Sequence, residues 1–181
     1  MRAVVGTLVV AALSCPARAD ALDQLRRDTL IAEAGVVRQQ RGDERGWGAR
    51  LYVAPTGRPF AASLFGARAF TALGAELARV RVWAPRADVD EAAVGSVVSY
   101  GLAARLGLRW PAGPYAFVGV APIISLVTPH SRAAAATLRG VGQHRGVRLT
   151  VGATVFHVVV DATWERAGGV DRIGVSLGAA L

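Results

Sequence analysis

The sequence has no lysine, no asparagine and a single cysteine, Cys15, in 181 residues. One cysteine cannot form an intramolecular disulfide, and it cannot build a cysteine-based metal cluster. Charge is also scarce, with 19% of residues charged against 52% hydrophobic, which excludes an intrinsically disordered chain. Aromatics make up 7%. The 21 glycines follow no period, so a collagen-like chain is excluded. Every cation is arginine, and the net charge is +8. The composition is dominated by Ala, Arg, Gly and Val, so this basicity reads as a coding bias. No nucleic-acid partner is expected from it.

A membrane-spanning helix is also missing from the pattern. The longest uncharged run after the first residues is Trp110–Pro129. It contains Pro111, Gly113, Pro114, Pro122 and Pro129, and its clean apolar part, Tyr115–Val127, is too short to span as a helix. Pro111–Pro114 reads as a tight turn. Residues 1–19 read as a secretory signal peptide: Arg2, then an apolar stretch over Ala3–Leu13, then the small-residue site Ala17-Arg18-Ala19. Cleavage is expected after Ala19. The alternative is a lipidated Cys15 behind Ala12-Leu13-Ser14.

What is present is alternation with period two. In Gly95–Trp110 one face carries Val98, Tyr100, Leu102, Ala104, Leu106, Leu108 and Trp110. The other carries Val97, Ser99, Gly101, Ala103, Arg105, Gly107 and Arg109. Arg79 and Arg81 alternate with Val80 and Val82, and Val147–Trp164 repeats the pattern. The apolar faces exceed the ~5–6 residues usual for soluble strands and reach the ~9–11 needed to cross a bilayer. The opposite faces are small or cationic, which suits the crowded interior of a narrow barrel.

The last strand has Ile173, Val175, Leu177, Ala179 and Leu181 on one face. With these strands the chain resembles the small outer-membrane β-barrel proteins of Gram-negative bacteria. That resemblance implies an all-β fold: a closed antiparallel up-and-down transmembrane β-barrel of about eight strands. It also implies that the five C-terminal residues are read by the outer-membrane assembly machinery. Leu181 stands where the family favours Phe or Trp. Outer-membrane lipid and that machinery are the implied partners, and the outer membrane is the implied location.

The domain expectation is a signal peptide over 1–19, a leader or first strand over 20–45, and a barrel over 46–181. One parse has strands near 47–55, 60–70, 75–84, 95–110, 115–127, 132–140, 146–162 and 170–181. A second starts with Thr29–Gln39 and turns 128–145 into a loop. The first is preferred, because the second puts that loop on the periplasmic side. Pro122 calls for a bulge in either. Trp110 and Tyr115 flank the 111–114 turn, where an interfacial girdle would sit.

Arg68, Arg79, Arg81, Arg105, Arg109, Arg148 and Arg172 are lumen-facing candidates. They would line an anion path, or pair with carboxylates such as Glu76 and Asp161 in a filled interior. The filled interior is preferred, since eight strands leave room only for side chains. His130, His144 and His157 are the only histidines. His157 and Asp161 lie about 13 Å apart along a strand, too far to share a metal. His130 beside Ser131 invites comparison with outer-membrane lipid hydrolases, but neighbours in a loop do not make a triad. No enzyme, cofactor or metal is expected. The function expected is a structural or surface-binding one, through segments such as 86–94 and 128–132. The alternative is a soluble, exported lipocalin-like protein, periplasmic or secreted, that binds an apolar ligand. It would put Val98, Tyr100, Leu102, Leu106 and Leu108 inside and the arginines in water.

Overall fold

A computed structural model describes residues 30–55, 63–83, 93–111, 113–138 and 140–180. The signal segment and its cleavage site lie outside them. The strands are β1 (Leu30–Arg41), β2 (Glu44–Pro55), the two-residue β3 (Ser63–Leu64), β4 (Ala67–Trp83) and β5 (Ala93–Arg109). They continue with β6 (Tyr115–Pro129), β7 (Gly142–Val155), β8 (Val158–Ala167) and β9 (Val170–Ala180). A short helix, α1 (Arg132–Thr137), stands between β6 and β7.

All pairings are antiparallel. Consecutive strands pair except β2 and β3, β2 pairs instead with β4, and β1 pairs with β9 from Glu33↔Ala180 to Gln40↔Ile173. The eight long strands therefore close into a barrel without a free edge. β3 only extends the hairpin into β4, through Ser63↔Arg68 and Leu64↔Ala67. The 110–114 turn lies at the end of the barrel that holds the start of β1 and the end of β9. α1 lies at the opposite end.

The hairpins explain several boundaries. Phe65-Gly66, Phe156-His157 and Gly168-Gly169 each have positive φ at both residues. This is the arrangement whose twist matches the flanking strands. Glycine adopts it freely; Phe65, Phe156 and His157 do so without the composition that normally marks a turn.

Here the structure corrects the preferred parse. Leu30–Arg41 is the first strand, as in the second parse. The stretches 60–70 and 75–84 are not two strands, because 67–83 is continuous. Gly74 within it is no turn: it faces inward against Ala54, where a Cβ would meet the neighbouring backbone. The stretch 132–140 is no strand. Its alanines form α1, capped by Ser131 Oγ accepting from Ala134 N at 3.1 Å. The stretch 146–162 is divided at Phe156-His157. The net effect is that the α1 segment lies at the end opposite the 111–114 turn, so the objection to the second parse falls.

Pro122 needs no bulge. Pairing of β6 with β5 lapses between Gly101↔Ile123 and Ala104↔Val120, yet the register is the same on both sides. Pairing with β7 runs through Pro122↔Val147. The missing N–H thus costs local pairing on one side only.

Inside, the barrel is layered. At the α1 end Val37, Val80, Val82, Val94, Val97 and Val127 pack with Ala134 and Leu138. Toward the other end Tyr52, Phe70, Tyr115, Phe117 and Ile123 form a second apolar cluster. Phe70 and Tyr115 meet edge to face at 5.8 Å. Tyr115 points inward, so it is not part of a girdle. Charged residues lie between the two clusters.

The β1–β9 seam that closes the barrel is tight at Gly35↔Gly178. A Cβ on Gly35 would lie 2.6 Å from the Leu177 carbonyl oxygen and 2.8 Å from Gly178 Cα. Gly35→Val is expected to lower stability by about 1–3 kcal/mol. Urea unfolding followed by tryptophan fluorescence checks this, and an unchanged midpoint would show that the seam is not tight there.

Candidate functional site

The strand period decides which side chains enter the lumen. On β2, Arg50, Tyr52 and Ala54 point in. On β4 the inward set is Phe70, Ala72, Gly74, Glu76, Ala78, Val80 and Val82. Among the described residues four arginines and four carboxylates are buried inside: Arg50, Arg105, Arg148 and Arg172 with Glu33, Glu76, Asp161 and Glu165.

Six of them form an alternating ladder that crosses the lumen from β2 and β4 to β7, β8 and β9. Asp161 pairs with Arg50. Arg50 Nη2 also donates to Glu76 Oε2 at 3.1 Å. Glu76 Oε1 accepts from Arg148 Nη1, and Arg148 Nη2 reaches Glu165 Oε2 at 2.5 Å. Arg172 Nη1 donates to Glu165 Oε1 at 2.6 Å. Two serines fill remaining positions. Ser99 Oγ accepts from Arg148 at 2.7 Å and donates to Glu165 at 3.3 Å. Ser125 Oγ accepts from Arg172 at 3.1 Å.

Nearer the termini end, Arg105 grips Glu33 with both carboxylate oxygens, at 2.7 and 2.8 Å. Tyr115 Oη donates to the same carboxylate at 2.6 Å. The Arg105 guanidinium also lies over Tyr52 and Phe117, 3.4 and 4.0 Å from the ring centroids. A cavity of about 10 Å³ lined by Glu33, Arg50, Tyr52, Asp161 and Ser176 has room for roughly one water. Side chains fill the lumen, and its buried charges balance.

The residues singled out from the sequence fall in different places. Arg105, Arg148 and Arg172 lie in the lumen. Arg109 is half-buried at the termini-end mouth, 5.6 Å from the Phe70 centroid and 5.5 Å from that of Tyr115. Arg79 and Arg81 point outward, a correction with a simple cause. Glu76, Ala78, Val80 and Val82 take the lumen, and at that end the lumen is apolar, so the arginines must face out. Arg68 is exposed as well. Ile173, Val175, Leu177 and Ala179 share the outer face of β9, while Leu181 lies outside the described residues.

Sequence reasoning missed Arg50, Glu33 and Glu165. Arg50 alternates with Leu51 and shares a face with Tyr52, a usable signal. Glu33 sat in a stretch read as a leader.

The serine and histidines do not converge. Ser131 Oγ is engaged as the α1 cap, and His130 is exposed. His144 Nε2 lies 3.1 Å from the Gly140 carbonyl oxygen. His157 is in the turn at the far end. Among the described residues no group of three or more His, Cys, Asp or Glu could hold a metal.

In the ladder, Glu76 bridges two guanidiniums. Removing one member of a buried pair leaves an uncompensated charge. Glu76→Gln is expected to cost about 3–5 kcal/mol in urea unfolding. Adding Arg148→Met leaves the Asp161–Arg50 and Glu165–Arg172 pairs intact, so most of the loss should return. A double variant as unstable as the single one would show that the ladder does not act as a chain of balanced charges.

No family model matches the chain, and no curated protein matches it. Among solved structures it is similar to crystal structures of Ail, the attachment invasion locus protein of Yersinia pestis. One is of the protein in complex with the heparin analogue sucrose octasulfate, at 13% identity and TM-score 0.47. The other is of Ail, at 14% identity and TM-score 0.46. Each alignment covers 84% of this chain and 95% of the Ail chain.

Proposed function

We propose that this chain is an outer-membrane β-barrel protein of a Gram-negative bacterium with a structural or surface-binding role and no catalytic activity. The observation that carries the reading is an inverted polarity. Leu102, Leu73 and Leu177 on the outer face are 61%, 62% and 60% exposed, while Arg148 and Glu165 inside are each 1% exposed. A soluble lipocalin-like barrel requires the reverse, with Leu102 inside and Arg105 in water. A lumen filled by ion pairs also leaves no space for an apolar ligand.

The height of the apolar belt fits a bilayer. On β5 the outward residues run from Val98 to Leu108 without a charge. At about 3.4 Å per residue and a tilt of about 45°, that stretch rises roughly 24 Å, close to the ~25 Å apolar band of membrane barrels. Closure then supplies what hydrocarbon demands, a neighbour on both sides of every long strand. The filled lumen supports a protein that acts through its ends rather than as a pore. The connection bearing α1, on the side opposite the termini, supports a surface role. The outward apolar row on β9 is the segment we assign to the assembly machinery.

Cell fractionation followed by a comparison of unboiled and boiled samples on a gel tests the reading. An outer-membrane protein with a heat-modifiable band is expected, and a soluble periplasmic product would overturn it. Arg105→Leu separates the same two cases energetically. In the membrane barrel it leaves the buried Glu33 carboxylate without its guanidinium and should cost about 3–5 kcal/mol. In a soluble barrel with Arg105 in water it should be neutral or stabilising.

A further inference from the structure

The two glycines that face each other at the seam also leave room inside the barrel. Gly35 shares the lumenal face of β1 with Glu33 and Val37, and Gly178 shares that of β9 with Ser176. Beside them lies the cavity of about 10 Å³, walled further by Arg50, Tyr52, Val159 and Asp161.

Two buried donors on this wall have no partner in the protein. Tyr52 is 1% exposed, and its Oη makes no hydrogen bond. The Arg105 guanidinium, 3.4 Å from the ring centroid, holds that ring in place. Arg50 sends its two Nη atoms to Asp161 and Glu76, which leaves Nε over. An unpaired buried donor is costly, because it has given up water and gained nothing.

Acceptors stand on the same wall with capacity to spare. A carboxylate offers about four acceptor positions. Glu33 uses three, two for Arg105 and one for Tyr115. Asp161 uses one, for Arg50. Ser176, directly opposite Asp161 in the β8–β9 register, adds a hydroxyl.

This mixture selects the occupant. The O–H and N–H donors repel a cation, and the carboxylates repel an anion. Among the described residues four buried arginines already balance four buried carboxylates, so an ion would leave one charge over. A neutral molecule that both donates and accepts fits. The volume holds one water, and a buried water needs two to four polar partners.

We propose that this cavity is a binding site for a single ordered water. The water accepts from Tyr52 Oη and Arg50 Nε and donates to Asp161 and Glu33. No direct hydrogen bond among the described residues joins the six-membered ladder to the group of Arg105, Glu33 and Tyr115. The water makes them one network, from Tyr115 near the termini end to Ser125 below the apolar plug. The site does not rest on the membrane reading, since all its groups are inside the barrel whatever surrounds it.

Tyr52→Phe tests the site, because it keeps the ring over Arg105 and removes only the hydroxyl. Thermal unfolding is measured on the full chain, folded and purified. With the water in place the variant loses a hydrogen bond, and Tm should fall by about 2–4 °C. A hydroxyl with no partner is better removed, so an unchanged or raised Tm overturns the site. The second measurement is a crystal structure of the unaltered chain grown in rubidium bromide. One water peak within hydrogen-bond distance of Tyr52 Oη and Asp161 is expected, without anomalous signal. No peak overturns the site. An anomalous peak from rubidium or bromide there overturns the neutral occupant in favour of an ion.

Discussion

The pairing of β1 with β9 is the contact on which the rest of the structure depends. Without it the sheet has two edges, each a row of unpaired backbone groups. With it every long strand has two neighbours, and the number of strands sets the width of the lumen. Eight strands leave an interior just wide enough for side chains to meet across it. Gly35 and Gly178 face each other at this seam because the strands approach too closely for a larger residue. Closure also turns the two-residue period into a strict rule, since every residue of a strand is then either inside or outside.

That rule makes the interior expensive. A charged group in the lumen has little water to solvate it, so it must find a partner among residues on other strands. Only 13 acidic residues exist in the whole chain, and four of them are used here. The ladder from Asp161 to Arg172 alternates sign at each step, so each inner member is shared by two neighbours of opposite charge. Breaking it anywhere leaves one charge over, which pins strands that are distant in sequence into one arrangement. Arg105 solves the same problem with Glu33 on one side and aromatic faces on the other.

Much of this was legible in the residues, and the exceptions have physical causes. The alternation in Gly95–Trp110 marks β5 with its correct faces, because nothing in that stretch imitates a turn. The eight-strand count was reached by compensating errors. The preferred parse broke β4 between 70 and 75, where the strand is continuous and the missing side chain of Gly74 serves a close approach to Ala54. Phe156-His157 hid a turn, because that hairpin takes positive φ without Gly, Asn or Asp. Glu33 was overlooked because its partner, Arg105, lies 72 residues away, and no local pattern records such a pairing. Glu76 and Asp161 were noticed as scarce carboxylates, but Arg50, the arginine joining them, was not.

Arg79 and Arg81 show why charge alone is a poor guide to the side a residue takes. Charge inside and apolar outside holds along the middle of the barrel and fails at the α1 end. There Val80 and Val82 pack against Val94, Val97, Val127 and the α1 residue Ala134, which closes the lumen with an apolar plug. The plug needs the inward positions, so the alternate residues face outward. In the membrane reading proposed above arginine is tolerated there, because charge on a lipid face costs only about 0–1 kcal/mol near the interface. The same residue type therefore does two jobs, and its height on the strand decides which. Deep in the lumen it is held by carboxylates of this chain. At the rim it faces outward, away from those carboxylates.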